Sequence, residues 1–213
     1  MPNKGDRGGA KTRAHIAAVA TELFLERGFD DVTIAQVAAA AGVSKVTVFS
    51  HFDRKEDLLL DRLPEAIEVV RAAISERKQD IDPIEAIRQL ALDLAEQRHP
   101  LSGLGANVEP FIRTLTGSPA LLARLRAFEH EVEEQLAVSL NADNAFSGDG
   151  ALAAALLVAA YRTAAVELMR KRLSGDDLFQ VAKAHRQRLN QAFDAVTRGI
   201  GSLQTNENIQ SGD

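Results

Sequence analysis

Cysteine is absent from the 213 residues. Disulfides, thiolate metal sites and cysteine nucleophiles are therefore excluded, and a reducing, cytoplasmic setting is the one that fits. An export signal is also missing: the start, MPNKGDRGGAKTR, is basic, but no apolar h-region follows it. The Ala-rich run 151–160 is too short and too weakly apolar to span a bilayer, so no membrane partner is expected. No alternation of apolar and polar residues marks a strand, and no segment repeats. Gly-rich phosphate loops, histidine pairs at metal-ligand spacing and nucleophile elbows are likewise missing. The five histidines (His15, His51, His99, His130 and His185) are scattered. Glu129, Glu131, Glu133 and Glu134 read as a solvated helix face rather than paired catalytic acids. These absences speak against an enzyme, a metal site or a cofactor.

What is present is an ordinary soluble composition, 46% hydrophobic and 26% charged, in a chain long enough for one large or two small domains. Its net charge of -5 is unevenly spread. Residues 1–55 hold eight Lys/Arg against six Asp/Glu, which leaves 17 against 24 for the remainder. A basic front on an acidic body suits a polyanionic partner held at one end, and Lys4, Arg7, Lys11 and Arg13 form a local basic arm.

The chain is organised around residues 33–55, TIAQVAAAAGVSKVTVFSHFDRK. Thr33 precedes Ile34, Val37, Ala38 and Ala41 at helical spacing, and Gln36 three residues on completes a capping box. Gly42 ends that helix with a residue that tolerates positive φ, Val43 fills the corner, and Ser44 caps a second helix over roughly Lys45–Ser50. Val48 and Phe52 are apolar, whereas Ser44, Lys45, Thr47, Ser50 and His51 are polar, a division that suits base edges and phosphates in a major groove. Asp53 and Glu56 predict a further capping box, with Lys55 as a cation in a first turn that an anion would neutralise. Upstream, Ile16, Ala20, Leu23 and Phe24 make an amphipathic helix over Thr12–Arg27 that ends at Gly28, giving a three-helix head.

The stretch TIAQVAAAAGVSKVTVFSHFDRKEDLL resembles the DNA-binding segment of TetR-family transcriptional regulators. That pattern runs from a threonine-capped helix through Ala-Gly-Val-Ser to an aromatic residue, a His-Phe pair and Lys-Glu-x-Leu. The resemblance covers residues 12–60. It implies that Lys45, Val46 and Thr47 read bases of a double-stranded, palindromic operator, that Thr33, His51 and Lys55 hold phosphates, and that Ser44, Phe49 and Ser50 share the DNA-facing surface. Two positions depart from the family. Val46 replaces a glycine and offers a branched group suited to a thymine methyl, and Phe49 replaces a tyrosine and lacks its hydroxyl.

Beyond the head the pattern stays helical. It meets Pro64, which demands a kink or restart near Leu63, and starts again at Asp82-Pro83. The segment LSGLGANVEPF is looser, and Ser118-Pro119 caps a helix that runs to about Leu140. Asp149–Leu173 and Asp177 to about Arg198 form a closing hairpin, and the former is apolar on nearly every face, so a second copy of the chain is expected to cover what its own domain leaves bare.

The resemblance further implies an effector pocket, with 101–110 as its mouth, Phe111, Phe128 and Tyr161 as lining, and Arg113 or Arg162 meeting an acidic head group. The effector is then an acidic, lipid-derived molecule or an acyl thioester. The expected fold class is all-α: an N-terminal three-helix helix-turn-helix head and a C-terminal helical ligand-binding and dimerisation bundle. Its boundaries are a disordered basic arm at 1–10, a DNA-binding domain at 11–54, a ligand-binding and dimerisation domain at 55–201, and a disordered tail at 202–213. The implied function is a ligand-responsive regulator, a repressor released from its operator by a largely hydrophobic effector. The alternative is a helical adaptor or scaffold whose corner only imitates a DNA reader.

Overall fold

The computed structural model describes the backbone of residues 4–210 and the side chains of residues 9–199. Among the described residues every regular element is helical. In order these are α1 Lys4–Arg27, α2 Ile34–Ala40, α3 Lys45–Phe49, α4 Leu63–Ser75, α5 Pro83–Glu96, α6 Glu109–Gly117, α7 Pro119–Asn141, α8 Gly150–Leu173 and α9 Leu178–Gln210, with 3-10 turns at Glu56–Leu58 and Pro100–Ser102. The chain is all-α. It divides into two compact units: Met1–Leu63 with Pro110–Leu125, and Pro64–Glu109 with Arg126–Asp213.

In the N-terminal unit α2 and α3 have seven and five residues, far too few to be stable alone. Burial sustains them. Ile16, Phe24, Val37, Val48 and Phe52 are each no more than 2% exposed, and each such side chain contributes about 1.5–3 kcal/mol when taken from water. α1 packs on α2 and on the 56–58 turn, and α2 packs on α3.

Several features differ from expectation. The unit runs to Leu63 rather than 54, and it recruits 110–125, which local pattern assigns to the body. Ser118 Oγ donates to Asp30 Oδ1 at 3.1 Å and Arg124 Nε to Asp57 Oδ1 at 2.8 Å, links between residues too distant in sequence to leave a periodic signal. Asp53 and Glu56 form no capping box: the 3-10 turn has Lys55 as its N-cap without a side-chain bond. The next helix begins only at Leu63, with Pro64 in its first turn, where a missing N–H is harmless. At the ends, α1 starts at Lys4 and α9 runs to Gln210, so the expected disordered arm and tail are largely helical in backbone. Lys4–Ala10 and 199–210 contain no proline to halt a helix already nucleated. Residues 1–3 and 211–213, also assigned to arm and tail, lie outside the described residues.

The C-terminal unit is built on the α8–α9 hairpin, with α5 against α9. Ala153, Ala154, Leu157, Ala164 and Leu168 of α8 meet Val181, Leu189, Phe193 and Val196 of α9 in one core. Over its full length α8 is long and apolar enough to cross a membrane, which the run 151–160 alone does not suggest; here that apolarity lines the unit's core. Arg77 ties the end of α4 to the α7–α8 loop. Its guanidinium donates to Asp143 at 2.5 and 2.7 Å and to the carbonyls of Ile74 and Ile81, and the hydrogen bond from Arg77 holds the Asp143 carboxyl below its ordinary pKa.

Candidate nucleic-acid interface

Thr33 opens α2 in an extended conformation. Its N–H donates to Gln36 Oε1 at 2.8 Å while Gln36 N–H donates back to Thr33 Oγ1 at 3.3 Å, as the capping box requires. At the other end Gly42 has φ +66°. There Val43 N–H bonds Ala38 O at 2.9 Å and Gly42 N–H bonds Ala39 O at 3.2 Å, the paired arrangement of a Schellman turn. The chain leaves α2 in a set direction, and Ser44 starts α3 by accepting from Thr47 N–H at 3.0 Å.

α1 then clamps both helices from outside. His15 Nε2 lies 3.2 Å from Ala41 O at the end of α2. Arg13 donates to His51 O just beyond α3, with its guanidinium 4.1 Å from the centre of the Phe52 ring. A cation at a helix C-terminus is favoured by the dipole, and stacking on an aromatic face adds to it. Arg13 therefore positions α3, a role that its place in the basic arm does not suggest. The signal available in the sequence is its spacing from Ile16, Ala17, Ala20 and Phe24, since it sits on their stripe.

Lys55 is the second cation used internally. Its ammonium donates to Phe29 O and lies 4.2 Å from the Phe29 ring and 5.7 Å from that of Phe24, so the cation expected to hold a phosphate also has partners within the head. Thr33 Oγ1 is likewise engaged within its cap, donating to Gln36 Oε1 at 2.9 Å. His51 is half-buried beside Gly9.

The outward surface of α3 is thus simpler than its sequence. Ser44 Oγ and Thr47 Oγ1 share a hydrogen bond at 2.8 Å, and Ser50 Oγ donates to Thr47 O at 2.8 Å. Lys45 is exposed, Val46 is 78% exposed and Phe49 54%. Two bare apolar side chains on so short a helix form a patch of the kind that meets a partner.

The five residues expected around an effector are not gathered in one unit. Half-buried Phe111 and exposed Arg113 lie in the N-terminal unit. In the other unit, Phe128 is buried and the hydroxyl of half-buried Tyr161 donates to Leu101 O at 3.4 Å. Desolvation raises that phenol's pKa. Arg162 is on the surface, 3.3 Å from Glu129. The interior cation of that unit is Arg172, missed from sequence, which is 5% exposed and binds Glu109 at 2.5 Å and Gly105 O at 3.2 Å. It ties down the segment expected to be a loose mouth. A cleft of about 350 Å³ between α8 and α9 is lined by Glu167, Lys171, Ala184, Gln187, Arg188 and Gln191, none of them among the five.

A capped helix, a Schellman turn and a short second helix held out from the N-terminal unit define a helix-turn-helix protein of the all-α class. Residues 16–61 match the family described as "Bacterial regulatory proteins, tetR family". That match places the N-terminal helices, and not the remainder of the chain, in the family's DNA-binding segment. It is 36% identical over 87 residues to the HTH-type transcriptional regulator TtgR of Pseudomonas putida, covering 39% of this chain and 41% of that protein. To the HTH-type transcriptional regulator TcmR of Streptomyces glaucescens it is 32% identical over 130 residues, or 60% of this chain and 58% of TcmR. The chain thus spans about half the length of the curated relatives it matches. Among solved structures, NalD, the secondary repressor of the MexAB-OprM multidrug efflux pump in Pseudomonas aeruginosa, has a similar fold. The TM-score is 0.56 at 21% identity, covering 86% of this chain and 97% of NalD.

Proposed function

We propose that this protein is a ligand-responsive transcriptional regulator that represses by occupying a palindromic operator and leaves it when a small, largely hydrophobic effector binds the C-terminal unit. The observation that carries this reading is the exposed surface of α3, Lys45, Val46 and Phe49, held out by a turn whose own polar groups are satisfied. TtgR and TcmR are HTH-type transcriptional regulators by name, and the stretches they share with this chain support the same role. It acts in the cytoplasm, as the absence of cysteine suits.

The working unit is a homodimer, because a two-fold operator needs two copies of α3 on one face of the duplex. On α8, exposed Leu152 and Val166 with half-buried Ala159 between them form a stripe that supports its placement; Ala160, 8% exposed, belongs to the unit's own core. For the effector, Phe128 and Tyr161 support the hydrophobic part. An acidic, lipid-derived or acyl thioester head group would have to displace Glu129 from Arg162, with which it pairs at the surface. An effector that prefers the released state by about tenfold shifts the balance by about 1.4 kcal/mol, so effective switching asks for a well-buried ligand.

Selection from a random duplex library tests the reading. The expected result is an inverted repeat with half-sites about one helical turn, roughly 34 Å, apart, bound less tightly as salt rises. Enrichment of no palindrome, with salt-independent binding, returns the protein to the adaptor class.

A further inference from the structure

The hydroxyls on the surface that α3 offers to DNA already make hydrogen bonds within the helix. The hydroxyls of Ser44 and Thr47 bond each other, and the Ser50 hydroxyl bonds the backbone of its own helix. A base edge that approaches this surface meets a cation, Lys45, and two apolar groups, Val46 and Phe49. These two are three residues apart, and positions i and i+3 share a helix face. They are also among the most exposed large hydrophobic side chains described, at 78% and 54%. Their exposure is not forced by packing, because Val48 of the same helix and Phe52 just beyond it fill the head's core at 0% and 2%.

In the major groove the base pairs differ in donors, acceptors and one apolar feature, the C5-methyl group of thymine. A face with two large apolar groups bare beside one cation is complementary to that feature at the positions where the apolar groups lie. We infer that Val46 and Phe49 are specificity-determining residues that read a thymine methyl group in each half of the operator. This rests on the DNA-binding reading above and deepens it. Lys45 supplies the charge that draws the helix to the groove, and the apolar pair selects among sequences. Burying one methyl group is worth about fourfold in affinity.

The test isolates the methyl group. Once selection has returned an operator, each thymine in one half-site is replaced in turn by deoxyuridine, which keeps every hydrogen-bonding edge and lacks only the C5-methyl. Binding of the full-length protein is measured against the parent duplex. The expected result is a loss of about fourfold at one or two positions and none elsewhere. For Val46→Ser or Phe49→Ala the deoxyuridine penalty at those positions should fall below about twofold. Each ratio compares two DNAs on one protein, so a change in its folded fraction cancels. If wild-type protein binds its operator but ignores every deoxyuridine, the inference fails while the DNA-binding reading stands. It also fails if a penalty appears and persists undiminished in both variants, since another group then reads the methyl. If no operator is selected, both readings fall together.

Discussion

The ammonium of Lys55 donates to the carbonyl of Phe29 at 2.5 Å and stands 4.2 Å from the centre of the same residue's ring. One cation thus closes the loop after α1 onto the turn after α3. The consequence is a separation between affinity and salt dependence. Lys55→Met should destabilise the protein by about 2 kcal/mol, through a lost charged hydrogen bond and a lost cation–π contact. Operator binding should weaken with the stability of the head while the slope of log K against log salt stays unchanged. A phosphate-contacting lysine would lower that slope by about one, and a titration at several salt concentrations decides which description holds.

Gly42 sets the corner between α2 and α3 at φ +66°, and a Cβ added there meets nothing within 4 Å. The cost of a side chain is therefore backbone strain alone. Gly42→Ala should lower stability by about 1–2 kcal/mol, and Gly42→Asn by less, since asparagine visits the left-handed region more readily. Denaturant unfolding of the three proteins gives the order; an alanine variant as stable as the parent would contradict it.

For assembly, Val166 is the informative position. It is 47% exposed on the same α8 stripe as Leu152, which is 42% exposed. Val166→Glu should convert a dimer to a monomer in sedimentation while leaving the helical circular dichroism intact, because the side chain touches little of its own unit. A wild-type protein that already sediments as a monomer at micromolar concentration removes the premise.

His185 is 4% exposed on α9 and its Nδ1 has no hydrogen-bond partner. Desolvation depresses its pKa below the ordinary 6.5, against smaller opposing contributions from the Ala164 backbone and Glu167. The unfolded chain then binds a proton more readily than the folded one. Stability should be full above the ordinary histidine value and decline as pH falls through it toward the depressed folded value. The thermal midpoint should drop between about pH 7.5 and about pH 5, and His185→Leu should flatten that part of the curve.

How the chain divides between sequence and structure follows from the range of the interactions concerned. The helix-turn-helix is legible because its determinants lie within three or four residues of each other. Thr33 and Gln36 close one cap, Ser44 and Thr47 another, and Gly42 supplies the positive φ between them. The apolar stripe that announces α1 and the Asp82-Pro83 start of α5 are of the same local kind. Tertiary structure alone decided which charged groups are spent inside. Lys55 reads as a free cation until the chain brings Phe29 beneath it, and Arg13 reads as part of a basic arm until Phe52 and His51 arrive beside it. Likewise 110–125 joins the head through Asp30–Ser118 and Asp57–Arg124. Composition and periodicity record what a residue can do, whereas contacts across tens of residues decide which of those capacities is already used, and so which side chains remain on the surface to meet a partner.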